Sequence, residues 1–236
     1  MSDPVVEAND IVKSLGHGAA RVQALRGVSL SLGGGELVML MGPSGSGKTT
    51  LLSVLGCMLS PSMGAVRVGG RSTAGLAPEQ LTQLRRDHIG FVFQSYHLFP
   101  TLTAIDNVRL ALDVRGDYSR CVIDRAKEAL ATVGLSHKTR SYPLELSSGE
   151  QQRVAIARAI IGDAAAILAD EPTAALDSEN GHAVMSILAG IARQGTRGVL
   201  VVTHDPRILP FADRIIHIED GRIVRKGSNG GTSASP

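Results

Sequence analysis

The nine residues GPSGSGKTT, Gly42 to Thr50, constrain this chain more than any other stretch. They spell glycine, four residues, glycine, lysine, then a hydroxyl residue, with Gly42, Gly47, Lys48 and Thr49 in the fixed places. Pro43, Ser44, Gly45 and Ser46 fill the loop between, and Thr50 follows it. Glycines let backbone N–H groups turn inward on phosphate oxygens, Lys48 brings a point charge to the outer phosphates, and Thr49 offers its hydroxyl to Mg2+. The run ELVMLMG before the loop reads as a strand, and Leu51, Leu52 and Leu55 recur at helical spacing after it. A strand, a glycine loop and a helix N-terminus together make a nucleoside triphosphate site, because the helix dipole favours an anion there.

The remainder alternates in period. VVEANDIV and VQALRGVSLSL read as strands, a helix runs from Lys48 to about Leu59, and Pro61 with Gly64 stops it. AVRVGG is a short strand, residues 79 to 87 a polar helix, and IGFVFQ from Ile89 a strand ending at Gln94. Residues from about 104 to 161 are mostly helical; after them AAAILAD, GVLVVTHD and RIIHIED are strands, with a helix from Ser178 to Arg193. This pattern predicts an α/β fold with a parallel-sheet core, an antiparallel N-terminal β part and an inserted helical subdomain at about 95–160. One domain is expected over residues 1–226, and the Gly/Ser-rich residues 227–236 form a flexible tail.

Composition narrows the function classes. With 24 basic against 22 acidic side chains, the formal net charge is only +2, so no strong field points to nucleic acid or anionic lipid. Cys57 and Cys121 lie far apart, outside any CxxC or Cys/His cluster, as expected for a reducing compartment. No window reaches the roughly 18 apolar residues that a membrane span needs, and MSDPVVEAND lacks a basic leader followed by an apolar run. A cytoplasmic location is expected.

AAAILADEP places Asp170 at a strand end, where a carboxylate can hold a Mg2+ shell, and Glu171 next as candidate base for an attacking water. Alternation along a strand points neighbouring side chains apart, so both serve one site only if the chain turns at Glu171, as Pro172 permits. Acidic residues at a strand end are otherwise often merely solvated. The second small-residue run, LSSGEQQRVAIARA, has Ser147 three residues before Glu150, which is the pattern of a helix capping box. Val154, Ala157 and Ile160 after it form a narrow packed stripe.

Taken together, these motifs resemble those of ABC ATPases, P-loop NTPases with a RecA-like core. The resemblance runs from about Val5 to Lys226: the phosphate loop, Gln94 as the Q-loop, Leu146 to Glu150 as the signature (usually LSGGQ or LSGGE), Asp170-Glu171, Ala175-Leu176-Asp177 as the D-loop, and His204 as the switch histidine. Alone, Gln94 and His204 would read as ordinary polar residues. The resemblance implies ATP and Mg2+ as cofactors, Thr49, Gln94 and Asp170 around the metal, and Glu171, His204 and Lys48 as catalytic. It implies a head-to-tail homodimer in which Ser147, Gly149 and Glu150 of one subunit cap the γ-phosphate held by the other. FQSYHLFPTLTAIDNVRLAL, PTAALDS and VTHDPRILPFADRI are similar to the exporter branch that includes macrolide-efflux, lipoprotein-release and heterocyst glycolipid export ATPases. That branch implies a peripheral place on the inner face of the inner membrane and a permease with a large periplasmic part, together with a periplasmic adaptor and an outer-membrane factor. A regulatory ATPase of the cell-division type, controlling a cell-wall hydrolase through a membrane partner, is the alternative; a soluble ABC protein acting on DNA or ribosomes would carry inserts or basic arms that this chain lacks. Two departures stand out. Ser148 occupies the first glycine of the signature, unfavourable if that position needs positive φ. Leu15, with His17 nearby, stands where an aromatic commonly stacks on adenine, so that base selectivity is expected to be loose.

Overall fold

The computed structural model describes residues 4–16 and 18–228; His17 and residues 229–236 of the expected tail lie outside them. In chain order the strands are β1 (Val6–Leu15), β2 (Val22–Leu32), β3 (Leu37–Met41), β4 (Met63–Val68), β5 (Arg71–Ser72), β6 (Ile89–Val92), β7 (Ala166–Asp170), β8 (Gly198–Thr203), β9 (Arg214–Glu219) and β10 (Arg222–Ser228). The α-helices are α1 (Lys48–Leu55), α2 (Pro78–His88), α3 (Ala104–Asp113), α4 (Val122–Thr132), α5 (Ser148–Ile160) and α6 (Ser178–Arg193).

Two sheets organise them. Strands β2-β1-β4-β5 form an antiparallel sheet, and β10-β9-β3-β8-β7-β6 a second one that is parallel from β9 to β6. The core strands are apolar on both faces, as strands covered on both sides must be. In β3, Leu37 and Met39 join a cluster with α3 to α6, while Val38 and Leu40 join another with β1, β2, β4 and α1. The same alternation recurs in β8, where Val199 and Val201 face one cluster and Leu200 and Val202 the other.

Several boundaries differ from those the sequence pattern predicts. Helix α1 stops at Leu55 rather than near Leu59, because Gly56 ends it and Cys57 takes a left-handed backbone with φ 56°. Gln94 lies two residues past the end of β6 instead of ending the strand. Strand β10 has no counterpart in the predicted pattern, and it takes Gly227 and Ser228, the first residues of the expected tail, into pairing with Ile215 and Arg214. The buried face of α5 is wider than the expected stripe, since Gln152, Ala155, Ile156 and Ala159 are buried as well.

The end of α5 is fastened by two cations: Arg125 donates from Nη2 to the Ile161 carbonyl at 3.1 Å, and Arg197 makes the larger set of bonds. Arg197, just before β8, donates from Nη2 to the carbonyls of Ile160 and Gly162 at 3.2 Å and from Nε to Ala164 at 3.1 Å. Those acceptors include carbonyls that a helix terminus leaves without partners. Replacing Arg197 with Met is expected to lower stability by about 1.5–3 kcal/mol, the range for hydrogen bonds to a charged group. Urea unfolding followed by circular dichroism measures it, and an unchanged midpoint would remove Arg197 from the account.

Candidate functional site

Strand register assembles the site. Met41 of β3 lies opposite Thr203 of β8, and Val202 of β8 lies opposite Asp170 of β7, so the three strands end almost level. Their continuations therefore emerge side by side at the carboxyl edge of the sheet: the phosphate loop after Met41, Glu171 after Asp170, His204 after Thr203. This is where open α/β sheets bind ligands.

The loop is shaped by glycine and held by its own lysine. Gly47 has φ 103°, and a Cβ there would stand 2.6 Å from the Ala24 carbonyl oxygen. Lys48 is buried at 9% exposure and donates from Nζ to the carbonyls of Gly42 and Pro43, both at 2.8 Å. The ammonium is thus fixed inside the loop. Ser46 sits beneath it, buried, with its carbonyl accepting from Gly221 N at 3.0 Å. Gly42, Pro43 and Ser46 therefore support the loop and do not line the cavity above it.

That cavity has a volume of about 620 Å3. Ser44, Gly45, Gly47, Lys48, Thr49 and Thr50 of the loop and the start of α1 line it together with Gln94, Glu171, His204 and Leu15. Ten of the sequence-predicted residues converge here. Ala24, Ala174 and Val202 also line it, and no sequence signal marks them because small apolar residues at such positions are ordinary. Leu15 is 40% exposed, an apolar surface open to a planar base.

The acidic pair behaves as the turn argument requires. Glu171 has φ 47°, a left-handed backbone rare for a side chain of this kind. It breaks the strand's alternation, and the Glu171 carboxylate reaches the cavity beside Thr49. Its Oε1 lies 2.7 Å from His204 Nδ1, and Glu171 is 16% exposed where His204 is 71%. Asp170, behind it, has a buried Oδ1 with no hydrogen-bond partner among the described residues. Burial, then the Glu171 charge, push its carboxyl above the ordinary range, against the Thr49 hydroxyl and the Lys48 charge. An orphaned carboxylate oxygen beside the Thr49 hydroxyl, with Gln94 among the residues that line the cavity, makes a hard-oxygen donor set that fits Mg2+. With one carboxylate in that set, it is consistent that no cluster of three or more His, Cys, Asp or Glu able to hold a metal occurs among the described residues.

Ser147, Gly149 and Glu150 do not line this cavity. The capping box is present: Ser147 Oγ accepts from Glu150 N at 3.2 Å, and Ser147 N donates to Glu150 Oε2 at 2.9 Å. That backbone bond is the main reason the Glu150 carboxyl sits below its ordinary range, with Lys138 3.6 Å away adding to it. The carboxylate is thus engaged on its own helix. Ser148 is the first residue of α5 and has no positive φ, so a serine there carries no left-handed strain. Gly149 does need to be glycine, since a Cβ would stand 2.5 Å from Asn180 Oδ1. Asn180 is itself fixed by Asp177, which accepts from its N and its Nδ2 at 2.8 Å.

Comparison with known proteins agrees with this geometry. Residues 25–174 match the family described as ABC transporter. The macrolide export ATP-binding/permease proteins MacB of Shigella flexneri and Escherichia coli are 46% identical over 222 residues, which is 94% of this chain and 34% of theirs. The chain thus spans about a third of the length of those relatives. The ATP-binding cassette MJ0796, solved as a dimer and in a post-hydrolysis state bound to ADP and phosphate, superposes with a TM-score of 0.87 at 41% identity, covering 96% of this chain and 99% of that one. The cbiO1 chain of Clostridium perfringens, part of the ABC transporter complex cbiONQ, superposes at 0.86 with 26% identity, covering 96% of this chain and 89% of its own.

Two outcomes are expected of the site. Lys48→Ala is expected to reduce nucleotide affinity at least tenfold by calorimetry; unchanged binding would contradict the role of the loop. Asp170 carries a folded-state pKa raised above its unfolded value, so it costs stability progressively as pH climbs from the ordinary carboxylate range, about 4, through the raised value. Asp170→Asn is therefore expected to raise the melting temperature at pH 7 in metal-free buffer and to leave it nearly unchanged at pH 4. Equal shifts at both pH values would show that the ionised carboxylate is not disfavoured.

Proposed function

The chain belongs to the ABC transporter family, and on that premise we propose that it is the ATP-hydrolysing unit of an exporter of the MacB kind, working as a head-to-tail dimer under a membrane permease. One observation carries the dimer: the signature residues Ser147 and Gly149 stand at the start of α5, with Ser147 exposed, and take no part in the cavity formed by their own chain. A serine hydroxyl and an N–H at a helix start are donors suited to a γ-phosphate, so a second copy is their natural recipient. The dimeric state of MJ0796, 41% identical, supports the same reading.

In this reading the loop N–H groups and Lys48 hold the β- and γ-phosphates, and Leu15 covers the adenine face. Glu171 accepts a proton from the water that attacks the γ-phosphorus; the bond to the bridging oxygen breaks and ADP leaves with phosphate free. His204, bonded to Glu171, holds that carboxylate in place. Thr49, Gln94 and Asp170 would hold Mg2+, which would supply positive charge to the phosphate oxygens. Most of the catalysis is positioning and electrostatics.

A permease with a large periplasmic part, an adaptor and an outer-membrane factor would complete the exporter. Among the described residues no helix is long and apolar enough to cross a membrane, which suits a peripheral unit on the inner face. A groove of about 480 Å3 between β6 and α3, lined by Phe91, Phe93 and Phe99 and by Arg85, Arg86, Arg115 and Arg158, offers the permease a seat with an apolar floor and basic groups around it.

Glu171→Gln is expected to bind ATP without turnover and to elute as a dimer in its presence; a monomer with full hydrolysis would refute the role of Glu171. Ser147→Arg is expected to bind ATP yet hydrolyse less than a tenth as fast. Mixed with Lys48→Ala subunits it regains activity, since each mixed dimer keeps one intact composite site. No regain on mixing would argue for a self-contained monomer.

A further inference from the structure

Two residues past Gln94 the chain takes a turn that its residues resist. Tyr96 and His97 both have left-handed backbone, φ 58° and 48°, a region that side chains seldom occupy. A single side chain of α5 holds both. Arg158 donates from Nη2 to the Tyr96 carbonyl at 2.7 Å and from Nη1 to the His97 carbonyl at 2.5 Å. No carboxylate acts on Arg158 among the described residues, and burial alone lowers its pKa below the ordinary guanidinium value. A half-buried cation without a counter-ion is a costly way to fill space, since an apolar side chain would incur no such penalty. The fork suits the position, because a planar guanidinium presents two separate nitrogens in fixed geometry, one to each carbonyl, where an ammonium is a single compact charge on a flexible stem. Rings pin the same segment from within: the Phe93 and His97 centroids are 4.7 Å apart, and Phe91 stacks on Phe93 at 5.4 Å. The Tyr96 phenol also runs toward the start of α5; burial raises its pKa, and a hydrogen bond with Ser148 works against that rise.

We infer that Arg158 is a positioning residue for Gln94: by fixing the Tyr96 and His97 carbonyls it ties the loop that brings Gln94 to the nucleotide cavity onto the helix that begins with the signature. This rests on the reading of that cavity as the ATP site. One helix then serves two nucleotides in the dimer, facing the partner's with its first turn and steadying its own chain's Gln94 ten residues later.

The chain contains no Trp, so Phe93→Trp places a single fluorophore next to Gln94. In this background ATP with Mg2+ is expected to shift the emission. Adding Arg158→Lys is expected to abolish that shift and to lower kcat about tenfold, with KM for ATP within twofold because the phosphate loop is untouched. In a Gln94→Ala background Arg158→Lys is expected to cost less than a further twofold. An emission shift and kcat like the parent's would overturn the inference, and so would losses that multiply with those of Gln94→Ala. Arg158→Met is the second variant; failure of both to fold would assign Arg158 to the fold alone and equally overturn it. A parent protein that does not hydrolyse ATP would instead sink the functional reading.

Discussion

Three parallel strands ending level is the constraint on which the site depends. Met41, Asp170 and Thr203 have no chemistry in common, yet their register decides that a glycine loop, a carboxylate and a histidine emerge within reach of one another. A slip of one residue in any of these pairings would turn that strand's buried side chains to the wrong face. The apolar alternation that fills both cores therefore also sets the alignment of the groups to which we assign the catalysis. Packing and function are specified by the same residues.

Charge placement is a consequence of that alignment. Asp170 and Glu171 are crowded at one sheet edge, and burial with the Glu171 charge disfavours the ionised Asp170 more than the nearby Lys48 charge favours it. A carboxylate held in this way suits a cation site, since a bound divalent cation would offset both the burial and the neighbouring negative charge. The left-handed backbone at Glu171 belongs to the same pattern of local strain kept where it serves the chemistry.

Much of this is legible in the sequence because its signals are local. The phosphate loop announces itself by spacing, and the turn at Glu171 is required by two adjacent carboxylates at a strand end before Pro172. Strand β10 escapes because it is an edge strand whose run RIVRKGS is broken by basic residues and a glycine, so that its sequence shows no clear apolar alternation. Strand β5, two residues long, pairs with β4 at the edge of its sheet and has no pattern to detect. The concern over Ser148 turns on a φ value that only the helix can supply, and the helix begins there. Arg158 reads in the sequence as one more exposed cation of a helix; its two carbonyl partners lie 61 and 62 residues away, and only the tertiary fold brings them together.

The central claim is that one chain holds half of each reaction centre, with the donors that complete it on a second copy. The dependence of specific ATPase activity on protein concentration tests this most directly. If pairing completes the centre, activity per chain falls steadily on dilution and recovers on concentration, with ATP saturating throughout. A specific activity that stays constant from micromolar to low nanomolar protein, with only monomer present by light scattering, would contradict the account.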